Sequence, residues 1–144
     1  MFCCSSRLAI QQCYFLTLDS LENYLNSWVC PEFLTSFDVS HCYWLKENFL
    51  LKTIQSMSQL SALNIEDTKL NLCDITNIFI KCKLISELGM SLIEDGWSDF
   101  KSKLDKYSLD TLSNGFRNLT HLKIIAFNSA YYIDSWPVIL ILLG

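Results

Sequence analysis

One short pattern of apolar and polar positions recurs along the chain. An apolar residue, any residue and a second apolar residue are followed, three positions on, by Cys, Thr or another apolar residue. It occurs five times: Leu8–Ile10–Cys13, Phe37–Val39–Cys42, Leu63–Ile65–Thr68, Leu88–Met90–Ile93 and Leu122–Ile124–Phe127. Four copies carry a further apolar residue three positions ahead, namely Leu34, Leu60, Ile85 and Leu119. Alternation of this kind predicts short strands with one buried face. The leading residues inside each copy point inward, and the residues between them point outward. The outward set is Asp38 and Ser40, Asn64 and Glu66, Gly89 and Ser91, Lys123 and Ile125. The Cys or Thr that closes a copy marks a turn, where a small side chain can be buried and can hydrogen-bond loop backbone.

Helical spacing fills the intervals between strands. Leu18, Leu21, Tyr24 and Leu25 predict a first helix, with Thr17 or Asp19 as its cap. Phe49, Leu50, Ile54 and Met57 predict a second. Ile75, Ile78, Phe79 and Cys82 predict a third, with Asp74 as the candidate N-cap. Trp97, Phe100, Lys101 and Leu104 predict a fourth. Ser108 is placed to cap a short extra helix through Leu109 and Leu112, which Gly115 would end. Strands then alternate with helices, and the strand recurs at intervals of 29, 26, 25 and 34 residues. A repeat of that length is the mark of a solenoid, in which each unit buries its apolar face against the next.

Composition narrows the picture. The 144 residues suffice for one domain spanning 1–144, and 51% of them are apolar. Charged residues make up 18%, below the roughly 25% of ordinary globular chains. Mean hydropathy is +0.24, which argues against a disordered chain and suggests apolar surface left for more chain or a partner to cover. The net charge of −4 and the absence of a basic cluster argue against nucleic acid as the ligand. Seven cysteines fall inside apolar runs, without a paired short spacing, and are expected as reduced thiols of a cytoplasmic or nuclear protein. No signal peptide is evident. The terminal run VILILLG is far shorter than the ~20 residues of a membrane span, so no membrane association is expected.

The stretch DVSHCYWLKENFLLKTIQSMSQLSALNIEDTKL resembles the cysteine-containing subtype of leucine-rich repeat. The resemblance is strongest over 33–92 and departs from the pattern where Thr68, Ile93 and Phe127 replace the cysteine. It implies a ribonuclease-inhibitor-like α/β horseshoe of five repeats, with parallel strands on the concave face and helices on the convex face. Many members of that family are F-box proteins, substrate receptors of a ubiquitin ligase. The F-box itself, with its Leu-Pro opening, is not visible, since the only prolines are Pro31 and Pro137. The expectation is therefore the substrate-binding half of such a receptor, a fragment with uncapped ends, whose adaptor-binding F-box would lie upstream. The alternative is a repeat scaffold or regulatory protein with no link to ubiquitin.

Candidate chemistry is sparse. His41 and Cys42 are neighbours on a strand-like segment and should point to opposite faces, which precludes a nucleophile–base pair. Cys73 and Cys82 lack the paired spacing of a zinc site. Four glycines leave no phosphate cradle. The acidic pairs Glu66–Asp67 and Glu94–Asp95 suit turns and caps. No catalytic residue, cofactor or metal is expected. The expected function is protein binding, on a face built from Asp38, Ser40, Asn64, Glu66, Ser91 and Lys123. Glu66 and Asp67 would draw a basic partner segment. Trp44, Trp97, Tyr131, Tyr132 and Trp136 are candidate aromatic anchors.

Overall fold

The computed structural model describes residues 6–14, 16–28, 30–92 and 105–126. Among them run β1 (Arg7–Ala9), α1 (Leu18–Trp28), a 3-10 turn (Pro31–Phe33), β2 (Ser36–Asp38), α2 (Glu47–Gln55), β3 (Ala62–Ile65), α3 (Leu72–Lys81), β4 (Glu87–Leu92), α4 (Lys106–Arg117) and β5 (His121–Ala126). The strands form one parallel sheet in the order β1-β2-β3-β4-β5. Parallel neighbours need a crossover, and the helices supply it.

The register follows the apolar pattern. Leu8 pairs with Phe37, Phe37 with Leu63, Leu63 with Leu88 and Leu88 with Leu122. The inward row is buried from Phe37 to Leu88, and so are Ile10, Val39, Ile65 and Met90 beside it. Leu34, Leu60 and Ile85, ahead of their strands, are at most 4% exposed. Helix residues Leu21, Leu25, Leu50, Ile54, Ile75 and Ile78 close the core from the other side. Each such side chain stabilises the fold by about 1.5–3 kcal/mol through removal from water.

Two backbone devices repeat with the units. The closing Cys or Thr is used as expected: the Cys42 thiol donates to the Ile10 carbonyl at 2.7 Å, and the Thr68 hydroxyl donates to Ile65 at 2.8 Å. Burial pushes the Cys42 thiol pKa up and raises that of Cys82 to about 11, so both stay protonated and inert. The residue before each closing position, Gln12, His41 or Asp67, takes a positive φ of 52°, 60° or 55°. That left-handed step turns the chain out of the strand.

The second device is a hydroxyl ladder at the strand entrances. The side chain of Thr35 donates to the Ser6 carbonyl at 3.0 Å, Ser61 to Thr35 at 3.0 Å, Ser86 to Ser61 at 3.4 Å and Thr120 to Ser86 at 3.1 Å. Every rung hooks one unit to the unit before it.

Several helix expectations are corrected. Tyr24 is 46% exposed and leaves the apolar face of α1 to Leu21 and Leu25. Of the two caps expected for α1, Thr17 is the one used, its hydroxyl oxygen accepting from the Ser20 N–H. Helix α3 starts earlier than its apolar spacing suggests: Asn71 is the N-cap, and Asp74 is the third helical residue, returning a bond to the Asn71 N–H at 2.9 Å. In α4 the cap is Asp105, which accepts from the Ser108 N–H at 2.8 Å. Gly115 lies within α4, which runs on to Arg117. A Cβ there would meet the Phe79 ring at 2.2 Å, so the glycine is needed for the close approach of α3 and α4. Phe79 also meets Phe116 edge-on, with ring centroids 5.6 Å apart. The predicted helix around Trp97–Leu104, together with Ile93, Phe127 and the VILILLG run, lies outside the described residues.

Candidate partner-binding surface

The outward side chains of the sheet fall into rows. One row is Arg7, Ser36, Ala62, Glu87 and His121; the next is Ala9, Asp38, Asn64, Gly89 and Lys123. Residues from β2 to β5 line a hollow of about 600 Å³ on this face. Small side chains at Ser36 and Ala62, and none at Gly89, give it depth between taller neighbours.

The polar groups around the hollow form a connected set. Asp38 accepts from the Gln11 amide, from the Ser40 N–H at 2.9 Å and from the Asn64 amide at 3.4 Å. The Asn64 carbonyl oxygen accepts from the Glu66 N–H at 3.2 Å. Lys123 reaches from β5 across β4 to Glu66 beyond β3. Its ammonium donates to Glu66 Oε2 at 3.0 Å and lies 2.9 Å from Oε1, which accepts no well-aligned hydrogen bond. Gly89 makes that reach possible, because a Cβ there would sit 2.6 Å from Asn64 Oδ1 and 2.9 Å from Glu66 Oε1.

The six sequence-chosen residues therefore differ in what they offer. Lys123 is exposed, and Asp38 and Asn64 are half-buried. Ser40, Glu66 and Ser91 are buried, at 3%, 2% and 5% exposure. Ser91 Oγ accepts from the Asp67 N–H at 2.9 Å. Asp67 also meets His41 Nδ1 at 2.5 Å, an ion pair when the imidazole is protonated. Glu66 and Asp67 are thus committed to internal partners. Sequence reasoning passed over Glu87 and His121, which face the hollow and are exposed. Their signal was available: both occupy the position just before the leading apolar residue of a strand.

Other candidates separate cleanly. Cys42 is buried, while His41 is half-exposed and turned to Asp67. Trp44 packs against the core, and its indole N–H is buried with no acceptor among the described residues. Trp97, Tyr131, Tyr132, Trp136, Glu94 and Asp95 lie outside the described residues. Among the described residues, no group of three or more His, Cys, Asp or Glu is placed to hold a metal ion. Likewise no helix there is long and apolar enough to cross a membrane.

No protein-family model matches the chain, and no curated protein is significantly similar to it. Among solved structures it is similar to a tropomodulin C-terminal domain from Caenorhabditis elegans, with a TM-score of 0.51 at 13% identity, over 95% of this chain and 81% of that one. At that identity the likeness speaks for the fold alone. The fold is α/β and leucine-rich-repeat-like, with five parallel strands alternating with helices.

Proposed function

We propose that this chain is a protein-binding module of five leucine-rich repeats, curved as a horseshoe, and that the exposed face of its sheet receives a segment of a partner. The observation that carries this is the hollow of about 600 Å³ built from four adjacent strands. Its size is that of a ligand-binding cleft, and its walls come from a sheet held rigid by an in-register core. Binding on such a face is positional. The module holds its partner and contributes no reacting group.

Site-specific photo-crosslinking in cells tests this. A benzoylphenylalanine at Ser36 or His121 should give discrete protein adducts, and one at Lys52 on α2 or Asp110 on α4 should not. Adducts confined to the helix positions would move the binding surface to the other side.

The narrower form of the proposal is substrate recognition for a ubiquitin ligase. It is supported by the resemblance of 33–92 to the repeats of F-box proteins. A polypeptide extended upstream should recover the ligase adaptor subunit, whereas residues 1–144 alone should not. If neither recovers it, the broader form, a repeat scaffold without a ubiquitin link, stands by itself.

A further inference from the structure

From the charges around the hollow, we infer that its occupant is a basic, extended segment, with one Lys or Arg side chain held between Asp38 and Glu87. This rests on the proposed use of the sheet face and adds the chemical class of the partner.

The charges lining the hollow are the carboxylates of Asp38, Glu66 and Glu87 and the ammonium of Lys123. Lys123 and Glu66 neutralise one another. Asp38 is held by neutral donors only, two amide side chains and a backbone N–H. Those bonds orient its carboxylate without cancelling its charge. Glu87 is exposed, and no basic side chain among the described residues pairs with it. Asp38 on β2 and Glu87 on β4, with β3 between them, therefore form no ion pair with another charge lining the hollow. The floor separating them is Ala62, whose side chain is small, beside the half-buried Asn64 amide.

A guanidinium or ammonium on a long apolar stem suits that arrangement. The stem can lie over Ala62 while the charged head reaches a carboxylate on either side. The rim adds donors and acceptors for a peptide backbone at Ser36, Asn64 and Thr120. The acidic balance of the whole chain, −4, favours approach of a basic segment and repels an acidic one. The basic segment expected at Glu66 and Asp67 is here assigned to Asp38 and Glu87 instead, because Glu66 and Asp67 are already paired.

Fluorescence anisotropy with two labelled probes, Gly-Ser-Arg-Ser-Arg-Ser-Gly and its Glu-for-Arg counterpart, decides the matter. The Arg probe should bind the full chain, weaken as salt is raised, and lose about tenfold in affinity with Glu87→Lys. Asp38→Asn should weaken it less, and Asp110→Lys on the helix side should leave it unchanged. Glu87 is exposed, so its reversal leaves the core intact, which circular dichroism verifies. Equal loss with Asp110→Lys, preference for the Glu probe, or no binding of the Arg probe up to millimolar concentration overturns the inference. If both probes bind alike, ignore Glu87→Lys and are displaced by Ala62→Trp, the charge class falls while the sheet-face reading survives. If Ala62→Trp has no effect on bound probe, the sheet-face reading falls as well.

Discussion

Glu66 shows how much a single residue depends on distant neighbours. Alternation along β3 places its carboxylate on the outward face, where an acid would ordinarily be solvated. It is 2% exposed instead, set close against Gly89 of β4 and met by Lys123 from 57 residues further along. The lysine side chain is itself 67% exposed while the carboxylate is 2% exposed, so the attraction is offset by the cost of taking Glu66 out of water and the pair is weak evidence for stability. Its effect is on shape and charge, since it removes Glu66 from the exposed part of the sheet face. Gly89 is the enabling residue. In a Gly89→Ala protein, Asn64 must move off, giving up the bond it accepts from the Glu66 N–H. We expect a loss of about 1–2 kcal/mol, read from the urea midpoint, with weaker binding at the face. An unchanged midpoint would mean that the Asn64 amide is not held as described. None of this was legible in the sequence. Period-two alternation states which side of a sheet a residue takes, and says nothing of what lies on top of it. For the same reason Ser40 and Ser91 read as surface positions and are buried; Glu87 and His121, one position ahead of the inward Leu88 and Leu122, are legible from the alternation and are exposed.

At the scale of elements, the apolar pattern did well and the ends of helices did poorly. Every leading residue of a strand was legible, because inward positions must be apolar for the core to close. The start of α3 was not. Asp74 is a good capping residue standing before an apolar run, but Asn71 lies three residues earlier and caps first, turning Asp74 into the return half of a capping box. Gly115 looked like a helix end because glycine favours that place, yet packing against Phe79 required it mid-helix. The box carries a pH signature. Burial raises the Asp74 pKa, Glu47 nearby raises it further, and the bond from the Asn71 N–H opposes both. A raised folded-state pKa means that the folded protein binds its proton more tightly than the unfolded chain. The stability contributed by protonated Asp74 is therefore fully present below the ordinary carboxylate range and is lost as pH rises through the raised value. Asp74→Asn keeps an oxygen to accept from Asn71 and has no charge to bury. At neutral pH it should be at least as stable as the parent, and the parent should gain on it as pH falls toward about 4. Urea unfolding of both proteins across that range measures it; a parent that loses ground on acidification would contradict the assignment.

At the scale of the whole molecule, the described strands follow one another in sequence order across one parallel sheet, and the bonds between neighbours are local. Neighbouring strands meet through the inward row and the hydroxyl ladder, and the first three pairs also through the left-handed turn. The ladder was written in the sequence as a Ser or Thr directly after Leu34, Leu60, Ile85 and Leu119, hidden because hydroxyls are unremarkable beside strands. Each carbonyl of the ladder also accepts backbone N–H groups; that of Thr35 takes Ser61 and Ala62 at 2.9 and 3.0 Å. Loss of one hydroxyl should therefore cost little, about 0.5–1 kcal/mol. Rungs at opposite ends share no partner, so Thr35→Ala and Thr120→Ala should add within about 0.5 kcal/mol. Strong coupling between them would show that the units do not behave as neighbours in a row.

The central claim is that the outward face of the sheet, and not the helical side, receives the partner. Backbone amide shift mapping by NMR, with a peptide selected for binding to this chain, tests it most directly. The account predicts perturbations at Ser36, Asp38, Asn64, Glu87 and His121, with Glu22, Lys52 and Ser56 on the α1–α2 side unmoved. Shifts gathered on that helical side, with the sheet face silent, would contradict it.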